Sequence, residues 1–168
     1  HFHYRDQDGF AHAVEQCNGV GACRKIDVGT MCPSYMATRD EEASTRGRAN
    51  ALRLAMSGQL EASPNDALAG DGVAHALELC LACKDCKSEC PNSVDMAKLK
   101  SDVLQMRHDR HGLPLGYRIM GNAPMTAAWI AGPLASLVNA VQKLGPFKQL
   151  MQRITGIDIS AEMLKRAA

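Results

Sequence analysis

The 168 residues carry 19 Lys and Arg against 18 Asp and Glu, a net charge of +1, which lacks the basic footprint of a chain built to bind nucleic acid. Aromatic residues make up 4%, and the β-branched and aromatic side chains are too scattered for a large sheet, so the expected fold class is all-α. The length suits one modest domain, or a small domain with an extension.

"DGFAHAVEQC" predicts a short helix capped by Asp8 and stopped at Asn18-Gly19. "GACRKIDVGTMCP" reads as loop. "STRGRANALRLAMSG" predicts a firmer helix, with Ser44 or Thr45 as cap, Leu52, Ala55 and Met56 on one face, and Gly58 at its end. Residues 59–72 are rich in Ser, Pro, Asn, Asp and Gly and read as loop, after which "VAHALELC" predicts a helix delivering Cys80. Ser93 is the expected cap of the next helix, whose apolar stripe is Met96, Leu99, Val103 and Met106, with Lys98, Lys100 and Asp102 on its polar side.

From Ile119 to Gln142 there are 24 residues without a charge. Asn122, Pro124, Gly132, Pro133 and Asn139 interrupt the run, which argues against a membrane span and for short amphipathic helices. One stripe is Leu134, Leu137, Val138, Val141 and Leu144, and another is Phe147, Leu150, Met151 and Ile154. The expected organisation is a domain over 1–112 and a helical extension over 113–168 that packs on something else.

The chain opens on His1 and shows no charged-then-apolar leader. The expectation is therefore a reducing, cytoplasmic setting and a piece of a longer polypeptide. There, clustered cysteines more often hold metal than form disulfides, and seven cysteines do not close into pairs.

The chemistry is concentrated in "CLACKDCKSECP". The run Cys80-x2-Cys83-x2-Cys86-x3-Cys90-Pro91 has every spacing of the bacterial ferredoxin motif. Three thiolates in one tight turn can wrap an iron–sulfur cube, while the fourth, before proline, is carried away to a second cluster. Upstream, Cys17 and Cys23 stand six apart, as the first and third cysteines of such a run, with Val20 in the middle place; Cys32-Pro33 parallels Cys90-Pro91. Exchange of the fourth ligands groups Cys32 with Cys80, Cys83 and Cys86 around a [4Fe–4S] cluster. It leaves Cys90 with Cys17 and Cys23, a three-cysteine site for a [3Fe–4S] cluster, a [4Fe–4S] cluster with a non-cysteine ligand, or nothing.

The rival for the four-cysteine set is structural zinc, although zinc sites typically use two separated cysteine pairs. His12 lies near Cys17 but is read as structural. Arg39, Arg46, Arg48 and Arg53 either offset cluster charge, dock a partner, or line a solvated helix face. "GVG" at 19–21 is no dinucleotide fingerprint, since Arg24 takes the third glycine place.

"CNGVGACRK", "GTMCPSYMATRDEEASTRGRANALRLAMSG" and "CLACKDCKSECPNSVDMAKLKSD" together resemble the iron–sulfur part of bacterial FAD-linked D-2-hydroxyacid dehydrogenases, of the D-lactate and D-2-hydroxyglutarate type. The iron–sulfur subunits of glycolate oxidase and anaerobic glycerol-3-phosphate dehydrogenase are more distant likenesses. The resemblance is specific from about Cys17 to Met106 and weaker beyond "HGLPL". It implies an α-helical ferredoxin fold and electron transfer from FAD, held on a flavin domain outside this chain, to a quinone or another acceptor, with peripheral contact at the inner membrane as a further expectation. Cys80, Cys83, Cys86 and Cys90 match the second family motif, and Cys17, Cys23 and Cys32 the first. Val20 departs from it, which puts the second cluster in question. No catalytic residue carries over. A structural or interaction module, held by zinc or a redox-inert cluster, is the alternative function.

Overall fold

The computed structural model describes residues 2–60, 67–130, 132, 136, 140–141 and 144–155. These are helices and turns throughout, as the composition implies. The chain divides into two compact units, His1–His111 and Gly112–Ala168.

In the first unit the helices are α1 (Phe10–Glu15), α2 (Pro33–Thr38), α3 (Thr45–Met56), α4 (Asp71–Glu78), α5 (Asp85–Glu89) and α6 (Met96–His111), with single 3-10 turns at Arg5–Gln7, Ala22–Arg24 and Ala67–Ala69. α3 packs against α1, α4 and α6, and the Ala67–Ala69 turn sits under α3, α4 and α6. The core holds Val14, Ala49, Leu52, Val73, Leu77, Val94, Met96, Leu99 and Val103. Burying each large aliphatic side chain contributes about 1.5–3 kcal/mol, so this cluster is what holds the two cysteine-bearing segments in one body.

The start of α3 follows from its sequence. Ser44 is the N-cap, and its hydroxyl accepts the Gly47 N–H at 2.9 Å. Leu52 and Ala55 are buried as the periodicity predicts, whereas Met56 is exposed at the last turn. Gly58, at φ 72, carries the chain out of the helix.

Two expected caps differ. Gly9, not Asp8, precedes α1, because Asp8 takes a left-handed conformation that closes the preceding turn. Ser93 is also left-handed, and Asp95 caps the α6 start instead, its carboxylate accepting the Lys98 N–H at 3.0 Å. The polar side of α6 is not wholly solvated either. Asp102 is only 3% exposed, because the N-terminal segment lies over it: the Phe2 N–H donates to its carboxylate at 2.9 Å, and Lys98 Nζ donates to the His3 carbonyl at 3.0 Å.

In the second unit, α7 (Leu115–Gly121) packs on α8 (Ala123–Ile130) and on α9 (Gly145–Thr155). Leu115, Tyr117, Met120, Met125, Leu144 and Leu150 are exposed. Leu134, Leu137 and Val138 of the first expected stripe lie outside the described residues, as do the side chains of Met151 and Ile154 in the second. Among the described residues no helix is long and apolar enough to cross a membrane.

Candidate iron–sulfur centre

Cysteine placement begins with the ends of helices. Cys32 precedes α2, with Pro33 at its first position; Cys80 follows α4; Cys83 leads into α5, Cys86 lies within it, and Cys90 ends it. None of the seven cysteines is in a disulfide. Cys23, Cys32 and Cys86 are buried, Cys17, Cys80 and Cys90 partly so, and Cys83 is exposed.

Cys32, Cys80, Cys83 and Cys86, two segments almost fifty residues apart in sequence, line one cavity. It is an open-sided pocket whose empty space, solvent included, comes to about 310 Å³, with Thr45, Arg48, Met96 and Ala97 along its buried side. Among the described residues no three Cys, His, Asp or Glu side chains converge on a single ion position. A cube of iron and sulfide asks its ligands to stand around a volume rather than a point.

The inner wall is built from two helix starts, where backbone N–H groups have no partner within the helix. α3 uses its first three in sequence. Thr45 N–H donates to Cys32 Sγ at 3.0 Å, Arg46 N–H donates to Cys23 Sγ at 3.4 Å, and Gly47 N–H goes to the Ser44 cap. Met96 and Ala97, the first residues of α6, line the cavity beside Cys86, and the Met96 N–H donates to the Val94 carbonyl at 3.2 Å. N–H donors on a sulfur, with the helix dipole behind them, favour a thiolate over a thiol. Burial opposes them. It pushes Cys86 up to about 11, and it raises Cys32 above the ordinary thiol range, with the Thr45 hydroxyl and N–H pulling back. Metal coordination removes the thiol proton outright, so these donors would then act on a sulfur that only accepts.

Arg48, 2% exposed, is the buried cation of the site. Its Nε donates to the Ala76 carbonyl at 3.1 Å, Nη2 donates to Ser34 Oγ at 2.8 Å, and Nη1 lies 4.0 Å from Cys32 Sγ. The other arginines separate. Arg46 pairs with Glu41 at 2.7 Å, and Glu41 also takes Arg24 at 2.9 Å, which fastens the Cys23 loop to α3. Arg53 donates to the carbonyls of Cys17 and Val14. Arg39 is exposed, and so is His12.

Left-handed backbone at Cys32, Ala82 and Lys84 shapes the turns, with φ of 56, 52 and 67. Each such non-glycine residue costs about 1–3 kcal/mol, a strain that concentrates at functional sites. Alternating conformations of this kind favour anion-binding concavities. Lys100 holds the approach, its ammonium donating to the carbonyls of Leu77 at 2.8 Å and Cys80 at 2.7 Å.

The remaining three cysteines are tied more loosely. Cys17 and Cys23 both lie within electrostatic reach of Arg46. The Cys90 segment is drawn to them by Asn92, whose amide donates to the Gln16 carbonyl at 2.8 Å. Val20, midway between Cys17 and Cys23 in sequence, is 63% exposed between Gly19 and Gly21. A further clamp joins the motifs: the Glu89 carboxylate, next to Cys90, accepts from Thr30 N–H at 2.8 Å, Thr30 Oγ1 at 2.6 Å and Met31 N–H at 3.2 Å, which holds the loop leading into Cys32. Thr45, Glu89, Asn92 and Lys100 were not legible as site residues. Thr45 carried a signal only as a candidate cap.

An all-helical domain whose separate cysteine segments line one cavity, with a helix N-terminus against the Cys32 and Cys23 sulfurs, is suited to hold a cofactor through thiolates. Residues 13–94 match the family model of the 4Fe-4S dicluster domain. The chain is also similar to "D-2-hydroxyglutarate dehydrogenase" of Pseudomonas putida, 31% identical over 177 residues that cover 88% of this chain and 17% of that protein. The protein of the same name in Escherichia coli is 30% identical over 132 residues, covering 60% of this chain and 13% of the relative. A "Probable glycolate oxidase iron-sulfur subunit" of Bacillus subtilis is 29% identical over 90 residues, covering 53% and 19%. The chain thus spans less than a fifth of the length of these relatives. No solved structure matches it.

Proposed function

We propose that the chain is the electron-transfer module of a larger FAD-linked 2-hydroxyacid oxidoreductase. It would accept electrons one at a time from reduced flavin on the same polypeptide and hand them to a quinone or other acceptor. The observation that carries this reading is the convergence of Cys32, Cys80, Cys83 and Cys86 on one cavity. These are the residues that would hold a [4Fe–4S] cluster, and the donor set suits it: four sulfurs, a backbone N–H on Cys32, and a buried guanidinium to balance negative charge. A cluster bound there supplies a one-electron carrier.

The protein's own groups do the rest. Thr45 orients and stabilises the buried Cys32 sulfur, Met96 and Ala97 line the cavity beside Cys86, Arg48 offsets the charge of the sulfurs, and the core excludes water from the inner side. Exposed Cys83, with exposed Leu81 beside it, marks the side on which an electron would enter or leave. Cys17, Cys23 and Cys90 are the proposed ligands of a second centre, [3Fe–4S] or [4Fe–4S]. We place the domain boundary near residue 112 and propose that 113–168 docks on the rest of the parent protein, in keeping with the exposed Leu115, Tyr117 and Met125. The expected setting is the cytoplasmic face of the inner membrane, with peripheral contact.

Anaerobic titration with dithionite, followed by visible absorption and electron paramagnetic resonance, tests the reading. A reversible one-electron couple on iron-loaded protein is the expected result. Stoichiometric zinc, or iron without an accessible couple, would make this a structural module instead.

A further inference from the structure

We propose that Thr45 is a positioning residue that raises the reduction potential of the first centre through its side-chain hydroxyl. The inference rests on the reading above that Cys32 ligates that centre.

Cys32 Sγ has three groups aimed at it from α3: Thr45 Oγ1 at 2.8 Å, Thr45 N–H at 3.0 Å and Arg48 Nη1 at 4.0 Å. Cys32 is 6% and Thr45 2% exposed, so bulk water does not compete for these contacts. While Cys32 is a thiol, either Thr45 Oγ1 or Sγ can donate. Once the sulfur is bound to iron it has no proton, and the hydroxyl must be the donor. The helix start leaves that hydroxyl available. Capping, the usual task of a threonine at this place, is done by Ser44, which accepts the Gly47 N–H.

Reduction adds one electron to the centre. It makes and breaks no bond and requires no proton transfer, but it increases the negative charge carried by the sulfurs. A donor fixed on a ligand sulfur therefore stabilises the reduced state more than the oxidised one, the more so in a dry environment. The Thr45 N–H also serves Cys32, but no substitution can delete a backbone donor without disturbing α3. The Thr45 hydroxyl belongs to a side chain, so its contribution can be removed by itself.

The test compares wild type, Thr45→Val and Thr45→Ser, all prepared without oxygen. Iron per chain is measured first, then the midpoint of the dithionite-reduced paramagnetic signal. Thr45→Val is expected to keep its iron and to lower the equilibrium constant for reduction about tenfold, about 59 mV for a one-electron couple. Thr45→Ser, which retains the hydroxyl, should stay at the wild-type midpoint. Loss of iron in Thr45→Val alone would also support the role, since the hydroxyl would then be needed to hold the sulfur. A wild-type midpoint in Thr45→Val, equal shifts in both variants, or loss of iron from both would overturn it, since the hydroxyl would then not be what distinguishes them. Wild-type protein without iron would instead refute the ligand assignment on which the inference stands.

Discussion

Gly47 offers a test in which helix propensity and structure predict opposite signs. It occupies the third position of α3, where alanine would ordinarily stabilise by about 1 kcal/mol. Here an added Cβ would fall inside the van der Waals shell of the Glu41 carbonyl oxygen, 2.8 Å from the Glu41 carbonyl carbon and 2.9 Å from Glu42 Cα. These are backbone atoms, so no side-chain rotation relieves them. Overpacking of this kind costs about 1–3 kcal/mol or more. Relief requires α3 to withdraw from residues 41–42, which also lengthens the N–H contacts to Cys32 and Cys23, each worth about 1 kcal/mol. The net expectation for Gly47→Ala is a loss of about 2–4 kcal/mol when both contacts are lost and the propensity gain is subtracted. At roughly 4–8 °C per kcal/mol for a unit of this size, thermal unfolding followed by circular dichroism should come at least several degrees lower. Iron content should fall with it. A variant as stable as wild type, or more so, would refute the close approach of the 41–44 turn to the helix start.

Three further outcomes are expected. Arg48→Met leaves the Ala76 carbonyl and Ser34 hydroxyl without the guanidinium, and should cost about 2–4 kcal/mol in denaturant unfolding; a change within experimental error would mean the buried cation is not structural. The Glu89 carboxyl is held below its ordinary range by the Thr30 hydroxyl and N–H and the Met31 N–H. Its contribution is therefore present above about pH 4.3 and is lost as pH falls through the depressed folded value, so the melting difference between wild type and Glu89→Gln should be constant from pH 8 to 5 and shrink below about 4.3. A difference that grew on acidification would contradict the clamp. His75 faces Glu42 at 3.1 Å, which raises its pKa. The pair stabilises below the ordinary histidine value of about 6.5 and fades as pH rises through the elevated one. Its imidazole resonances should titrate above that value and return to it in Glu42→Gln; an unshifted wild-type titration would mean the contact is not made.

The cysteines were legible because cluster chemistry constrains their spacing, and Cys-Pro marks the ligand that leaves the turn. The four grouped from spacing alone are the four that line one cavity. Much of what lies behind them was not legible. Thr45 and Glu89 act on a sulfur 13 residues and a loop 58–59 residues away, and no local pattern encodes such contacts; Arg48, one of four arginines read as able to offset cluster charge, reaches Cys32 across 16 residues. The same holds for Asp102, polar by helical position yet buried by a segment 100 residues earlier. The existence of α1, α3, α4 and α6 followed from periodicity and caps; the short α2 and α5 were not expected, and the choice of Gly9 over Asp8 and of Asp95 over Ser93 depended on left-handed turns set by the preceding chain.

The central claim is that Cys32, not Cys90, completes the centre formed by Cys80, Cys83 and Cys86. Iron per chain in anaerobically purified Cys32→Ser, Cys83→Ser and Cys90→Ser tests it most directly. The account predicts that Cys32→Ser and Cys83→Ser each lose the same complement, about four irons, while Cys90→Ser keeps it. Wild-type iron in Cys32→Ser, with that complement lost from Cys90→Ser, would contradict it.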